Sequence, residues 1–486
     1  MPIRHLDSLQ GRYDAIVIGS GLAGMTGAHR LARRGWRVLL LEHHHQLGGL
    51  ATAFKRPGGH VFDVSLHGFP YGMVKSCRKY WSPQIADSIR QIKSVRFINP
   101  DFQIQTSFDS TDFTRILIEK FRAPPACVTA FFECLRTMNY YDNSTLTTKE
   151  LFEEFFPERP DIHRLLLEPI AYANGSTLDD PAITFGIVFA NFMSKGVFIF
   201  QGGTDTLIAE MTGCLRAAGV EIQRNCLVEK IYLETDASGI PRAGGVRVCS
   251  RRDGGSRDIA AAAVLSNAGI KNTVLRLAGA ENVPQELASA ANAIRVNNSS
   301  AQIYMGVRTA ETLPRTDDLV FTSGAKPFSS KELTSLHTTS RTHSLYYPDT
   351  RPHARSPRYA IVTSLNQHWA DWAAMDADTY ATHKARLTEE AFASLEKLFP
   401  DIRSKVDWVE TATPRTVERY TRHWEGSSFG TKFEGLKVSM ELPEFVRGLF
   451  HAGSVGIIMS GWLGAINYGI IVAARMDAFL EKNAAR

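Results

Sequence analysis

The chain has 486 residues, 44% of them apolar and 22% charged, with a formal net charge of +5 and a pI near 8.8. These values are ordinary for a folded chain of two or three domains and exclude a single small core. The charge excess is too thinly spread for a nucleic-acid footprint, although a basic face toward anionic lipid is compatible with it. The six cysteines are scattered without a CxxC pair. That excludes zinc ribbons and redox motifs and reads as reduced thiols of a cytoplasmic protein.

The first residues carry no apolar stretch of the kind a secretory signal needs. Residues 13–18 (YDAIVI) form a short buried strand that runs into Gly19-Ser20-Gly21-Leu22-Ala23-Gly24. A helical pattern follows and stops at Gly35, and a second strand over residues 36–41 ends at Glu42. Gly19 permits a tight turn, Gly21 lets the backbone approach a pyrophosphate, and Gly24 lets helix and strand pack closely. The helix N-terminus offers free N–H groups to phosphate, and Glu42 can accept hydrogen bonds from ribose hydroxyls. The arrangement predicts a dinucleotide site. His43, His44 and His45 follow the acid directly, where successive side chains diverge. They have no ligand spacing around them, so no metal is expected; one ring, His43, is placed near the adenine.

After Glu42 come Gly48-Gly49-Leu50-Ala51, where a nicotinamide dehydrogenase would continue into a helix, and then a hairpin turn at Gly58-Gly59 leading to Phe62-Asp63. The E-x5-G-G and G-x-x-F-D pattern resembles the flavin-containing amine oxidase superfamily. Within it, the chain is most similar to phytoene (carotenoid) desaturases, carotenoid isomerases and retinol saturases. The resemblance implies FAD as cofactor.

Residues 71–81 mix aromatic and basic side chains, which suits either a membrane interface or a solvated helix. Residues 122–141 and 151–171 read as helices. Residues 183–200 read as helix, turn and strand; the face bearing Phe185, Ile187, Val188, Phe189 and Phe192 could be core or the wall of an apolar tunnel. No window supplies the 18–20 uninterrupted apolar residues of a membrane span.

Residues 198–207 resemble the family's strand–GG–helix stretch, and the resemblance implies that Val228 meets adenine through its backbone. Residues 262–268 resemble the strand that ends in Ser266-Asn267-Ala268. Residues 302–307 and 359–365 read as strands, 313–357 as a long loop and candidate lid, and 387–398 as an amphipathic helix. Thr413-Pro414 to Tyr420, then Gly426 to Gly430, match the family's T-P-x-T-x-x-x-Y…G-x-x-x-G pattern. Arg422, His423 and Glu425 near that turn are the candidates for acid–base work; the flavin itself would be the redox group.

Gly453 ends a short strand at residues 448–453. Ser454 follows where many relatives carry an acid that binds the ribityl chain. Gly461-Trp462-Leu463-Gly464 then opens a C-terminal helix whose N-terminus would stabilise negative charge on reduced flavin. Trp462 and Tyr468 fit either core packing or a ligand contact.

The expectation is an α/β protein. Its Rossmann-type FAD-binding domain is assembled from residues 10–75, 196–290 and 410–486. Interleaved with it, residues 76–195 and 291–409 form an α+β substrate domain on a mixed or antiparallel sheet. By resemblance it acts on a long apolar polyisoprenoid, first as a phytoene-type desaturase, with isomerisation or saturation as alternatives on the same scaffold. It would work at a membrane surface from the cytoplasm, with a quinone or oxygen as acceptor. An amine oxidase with an aromatic cage and acidic entrance, and a structural flavin-binding protein, are the other readings.

Overall fold

A computed structural model of the chain describes residues 6–64, 68–138, 145–235, 239–352, 354 and 357–484. Two seven-stranded sheets organise the described residues. In the first, Arg12–Ile18 pairs in parallel with Val38–Glu42 on one side and Ser256–Ser266 on the other. Glu221–Arg224 extends it beyond Val38–Glu42, and Leu449–His451 joins Ser256–Ser266, both in parallel. Pro241–Ser250 and Cys226–Thr235 complete it as an antiparallel extension. The central strands are continuous apolar runs because helices cover both faces, and Ala15, Ile16, Val17, Leu39 and Leu40 are fully buried.

Helix Leu22–Arg33 lies against the C-terminal helix Gly461–Ala484. Their closest approach needs a glycine, since a Cβ on Gly469 would meet the Ala23 carbonyl. The C-terminal helix is long and apolar enough to cross a membrane. It packs as a core helix instead: Ile466, Val472, Ala473, Met476 and Leu480 join the first hydrophobic core, and Asp477 accepts from Arg34 and Trp36 at 2.8 Å each. That core also takes in Met73, Cys77, Trp81, Ile85 and Ile89, so it extends past the expected boundary at residue 75. Helix Gly72–Tyr80 packs on the C-terminal helix and cannot be separated from it.

The second sheet runs Val406–Ala412, Ser299–Val307, Ala360–Gln367, Arg341–Tyr346, Leu319–Thr322, Val95–Ile98 and Gln103–Thr106. It is antiparallel except where Leu319–Thr322 meets Val95–Ile98. Two of these strands lie inside the expected loop 313–357, which is therefore corrected; His353 and Arg355 of that stretch lie outside the described residues. Leu319–Thr322 has only four residues, and Arg341–Tyr346 is largely polar yet buried, so neither carries the alternation of a half-exposed strand.

The remaining corrections are local. The helix expected over 122–141 spans Pro125–Thr137, because a proline at its start fixes the first turn; residues 139–141 lie outside the described residues. The helix expected over 151–171 is two, Thr148–Phe155 and Pro160–Asn174, the first opened by a Thr147/Glu150 capping box and the second by Pro160. The helix–turn–strand reading of 183–200 matches Ala182–Met193 and Val197–Phe200.

Candidate functional site

The turn after Arg12–Ile18 is held open by Gly19 at φ +89°. A Cβ on Gly21 would stand 2.6 Å from Asn267 Oδ1, and one on Gly24 would collide with the Gly19 carbonyl. Facing this turn, Gly48 has φ +110° and Gly49 +59°; Gly48 N donates to the Ser20 carbonyl at 3.0 Å, and a Cβ on Gly49 would lie 3.1 Å from Gly21 Cα. Two backbone segments thus close on each other with no side chain between them, beside the N-terminus of the helix Leu22–Arg33, whose first N–H groups suit a phosphate.

Glu42 ends its strand only 5% exposed. Its Oε2 accepts from Ser20 N at 2.9 Å and Ser20 Oγ at 2.6 Å, and its Oε1 from His44 N at 2.8 Å. The carboxylate is fixed at the edge of the cradle with lone pairs still free for sugar hydroxyls. His43 stands beside it, and burial lowers the His43 pKa against the pull of Glu42.

These elements line one cavity of about 1290 Å³. Pockets for a single small ligand reach only about 1,000 Å³, so there is room for a dinucleotide and a second molecule. Of the residues expected at the cofactor, Gly19, Ser20, Gly21, Leu22, Ala23, Glu42, His43, Gly48, Gly49, Leu50, Ala51, Val228, Asn267, Ala268, Ser454, Gly461, Trp462, Leu463 and Gly464 line it. Gly24 and Gly453 do not. Each stands behind the wall, where a Cβ would strike a backbone carbonyl: that of Gly19 for Gly24, that of Ala268 for Gly453. Asn267, which stands against Gly21, ties this turn to the C-terminal segment, its Nδ2 donating to the Ala452 carbonyl at 2.8 Å.

Arg422 and His423 line the cavity and Glu425 does not. Arg422 and His423 sit near enough to His43 to influence its charge, which puts them at the Glu42 end. His423 donates through Nδ1 to the Ser427 carbonyl at 2.8 Å, and desolvation lowers its pKa. The helix Pro414–Thr421 ends in a left-handed Arg422 that turns this segment toward the Glu42 end of the cavity, whereas the sequence reading set it near the substrate side.

Trp462 stacks on Phe69 with ring centroids 5.2 Å apart and lines the cavity. Tyr468 belongs to the core and bonds Ser439 at 2.6 Å. The helix Ala182–Met193 divides its aromatic face: Phe185 and Phe189 are fully buried among other rings, while Ile187, Val188 and Phe192 line the cavity. With Phe108, Leu319 and Phe321 they form an apolar lobe. Sequence reasoning missed the floor between cradle and lobe, made of Ser300, Gln302, Tyr304, Ser364 and Asn366 from the second sheet. Its signal was the alternation of Ser300, Gln302 and Tyr304 with Ala301, Ile303 and Met305, which normally marks a solvent face.

Residues 17–78 match the NAD(P)-binding Rossmann-like domain. Prolycopene isomerase, chloroplastic, of Arabidopsis thaliana is 25% identical over 527 residues, covering 98% of this chain and 85% of that protein. All-trans-retinol 13,14-reductase of Homo sapiens is 20% identical, covering 97% of this chain and 86% of that protein. Cyclohexylamine oxidase from Brevibacterium oxydans superposes with a TM-score of 0.65 at 12% identity, covering 96% of this chain and 99% of that one. The glycine cradle, the fixed carboxylate and the wall of the C-terminal helix fit a flavin-bearing dinucleotide. The chain is an enzyme built on a flavin oxidoreductase scaffold, and over nearly its whole length it is similar to a carotenoid isomerase and a retinol reductase.

Proposed function

We propose that the chain is an FAD-dependent enzyme acting on carbon–carbon double bonds of a long isoprenoid polyene, as a cis–trans isomerase or a saturase. The observation that carries this reading is the continuity of the dinucleotide cradle with the apolar lobe of Phe108, Ile187, Val188, Phe192, Leu319 and Phe321 in one cavity. Such a lobe binds an extended hydrocarbon by area alone and keeps water from the reacting carbons. The near-full-length relatives are isomerase and reductase by name, which moves the reading away from the expected phytoene-type desaturation.

Glu42 and the turns at Gly19–Gly24 and Gly48–Gly49 would hold the adenosine diphosphate part. Ser454 and residues 461–464 would hold the ring-bearing part, with the helix N-terminus favouring negative charge there. Bound flavin supplies hydride or electron transfer to and from the polyene. The chain's own task is to align the polyene and exclude water.

An amine substrate fits less well, because among the described residues lining the cavity no carboxylate stands ready for an ammonium group. Of the acids lining the cavity, Glu42 is committed to Ser20 and His44, Glu410 is paired with Arg56 at 2.6 Å, and Glu229 is exposed. Peripheral association with a membrane from the cytoplasm goes with the reading. Helix Gly72–Tyr80 carries Lys75, Arg78 and Lys79, and Lys75 and Lys195 both stand over the Tyr71 ring. Ile471, on the neighbouring C-terminal helix, is 42% exposed. A quinone or oxygen is needed as acceptor only if the net reaction is oxidative.

The test is incubation of protein and FAD with phytoene, a poly-cis lycopene and retinol in liposomes under nitrogen, with flavin pre-reduced or a quinone added, and products read by chromatography and mass. Unchanged mass with shifted retention establishes an isomerase, and a two-hydrogen gain a saturase. A two-hydrogen loss restores the desaturase. Untouched polyenes with bound FAD refute the reading.

A further inference from the structure

The second sheet has two unlike faces. Toward the helix Ala377–Glu396 it presents Ala301, Ile303, Met305, Leu345, Ile361 and Leu365, a dry core. The opposite face is polar. Register pairs Ser300 with Asn366, Gln302 with Ser364, and Val362 with both Tyr304 and Ser344. These side chains are not in solvent: Ser300, Tyr304, Ser344, Ser364 and Asn366 are each less than one-tenth exposed. A buried polar sheet face is costly unless its groups are paired, at roughly 1–3 kcal/mol for each unsatisfied group.

Part of the face is satisfied within the chain. The Tyr304 hydroxyl reaches the Val64 carbonyl and Gln302 Oε1, both at 2.6 Å, and Asn366 Nδ2 donates to the Ala171 carbonyl at 2.9 Å. The rest is not. The Tyr172 hydroxyl faces Ser344 and Ser364, whose hydroxyls are buried and have no other hydrogen-bond partner among the described residues. Tyr172, Ser364 and Gln302 all line the cavity, and the Tyr172 ring meets Phe321 of the apolar lobe edge-on at 5.7 Å. Hydroxyl and amide groups converge where the greasy part of the cavity ends. Among the described residues no cation stands between these groups, and nearby Arg56 is taken by Glu410.

Resting on the reading of the cavity as a polyene site, we propose that this polar face binds the oxygen of a terminal hydroxyl on the polyene, so that the enzyme takes a polyene alcohol in preference to the matching hydrocarbon. A hydroxyl both donates and accepts, as Ser364, Tyr172 and Gln302 can. A hydrocarbon would give the Ser364 and Tyr172 hydroxyls no partner beyond each other and Ser344, and a carboxylate would find no free positive charge there.

The experiment uses holo-protein in detergent and follows quenching of tryptophan fluorescence. Two pairs of polyenes that differ by one hydroxyl are titrated: retinol with axerophthene, and β-cryptoxanthin with β-carotene. In at least one pair the alcohol binds about fivefold tighter or more, the scale of one net hydrogen bond. In Tyr172→Phe and Ser364→Ala the preference disappears while affinity for the hydrocarbon is kept. FAD content and thermal midpoint report that both variants fold; Ser364→Ala removes a hydroxyl whose one neighbour is the Tyr172 hydroxyl. Equal binding of alcohol and hydrocarbon by the unmodified protein, or a preference that survives both variants, overturns the proposal and leaves the polyene reading standing. If holo-protein binds none of the four, both readings fall together.

Discussion

Ser20 and Glu42 stand at the ends of neighbouring parallel strands and are joined twice, through the backbone N–H and the hydroxyl of Ser20 to one carboxylate oxygen. The acid that marks the ribose end thus also organises the phosphate turn. Glu42→Ala removes the acceptor for three donors, counting His44 N. Hydrogen bonds to a charged group are worth about 1.5–3 kcal/mol each. The variant should be isolated largely flavin-free, with affinity for added FAD reduced more than about tenfold. Glu42→Gln, which keeps one acceptor oxygen, should lose less. Flavin absorbance after desalting and titration with FAD check both.

Glycine substitutions separate cradle from scaffold. Gly24→Ala drives a methyl into the Gly19 carbonyl and Asn267. Because backbone must move, the cost should be several times the ~1 kcal/mol of an ordinary substitution, with loss of FAD. Gly213→Ala lies in the helix Gly203–Ala217 with open space around its Cβ, and should stabilise by about 0.5–1 kcal/mol. Thermal midpoints and FAD content of the pair distinguish a general intolerance from a local one.

The buried pair Asp63–Arg351 ties the hairpin Ala53–Asp63 to the segment after the strand Arg341–Tyr346. Asp63 also accepts from Thr204 N at 3.2 Å and Thr204 Oγ1 at 2.8 Å. Burial raises its pKa and Arg351 opposes that. Arg351→Ala leaves the carboxylate without its cation, a loss of about 3–5 kcal/mol. Asp63→Asn in the same chain should recover part of it. Denaturant unfolding of the two variants measures the recovery, and equal midpoints would show that the pair carries no such coupling.

Two buried histidines make the fold sensitive to acid. Burial pushes the His451 pKa down to about 4 and that of His343 to about 3. His451 Nε2 donates to the Ala268 carbonyl at 2.7 Å, and its Nδ1 lies 2.6 Å from Ser439 Oγ. His343 reaches Thr363 Oγ1 at 2.8 Å and Ser394 Oγ at 2.9 Å. Both pKa values are lower in the folded than in the unfolded chain. The stability they contribute is therefore complete above about pH 6.5 and is lost as pH falls, for His451 by about 3 kcal/mol once pH 4 is reached. His451→Gln should be less stable at pH 7.5 yet lose less between pH 7.5 and 5. Unfolding midpoints at the two pH values decide it; parallel losses would exclude His451 as the source.

The cradle was legible in the sequence because its parts are local. A strand, three glycines at fixed spacing, a helix and an acid fall within thirty residues, and Gly48-Gly49 lie close behind. The sheet floor was not. Ser300, Gln302 and Tyr304 alternate with apolar residues as a half-exposed strand does, and only packing against distant segments, the hairpin Ala53–Asp63 over Tyr304 and the helix Pro160–Asn174 over Asn366, turns their side from solvent into cavity wall. Arg341–Tyr346 was hidden for the same reason: its Thr342, His343 and Ser344 are buried polar residues whose partners come from elsewhere in the chain. Arg422 and His423 stand out as polar residues beside a glycine turn, but nothing local decides which end of the cavity they meet.

The lobe yields the last prediction. Val188 and Phe192 are four residues apart on one helix, and both line the cavity, whereas Phe185 and Phe189 on the adjacent side are core. A larger side chain at Val188 therefore projects into space that the polyene is proposed to fill, without disturbing the stacked pair Phe185–Phe189 at 5.0 Å. Val188→Trp should leave FAD content and thermal midpoint unchanged. It should weaken binding of C40 polyenes by about tenfold or more, and of a C20 polyene less, because the shorter chain can avoid the blocked volume. Phe192→Ala should act in the opposite sense on volume but at a cost of about 3–5 kcal/mol in stability, so affinity must be read below its unfolding temperature. If Val188→Trp weakens FAD and polyene alike, cradle and lobe are not separable parts of the cavity. If it weakens neither, the polyene does not enter between Val188 and Phe192.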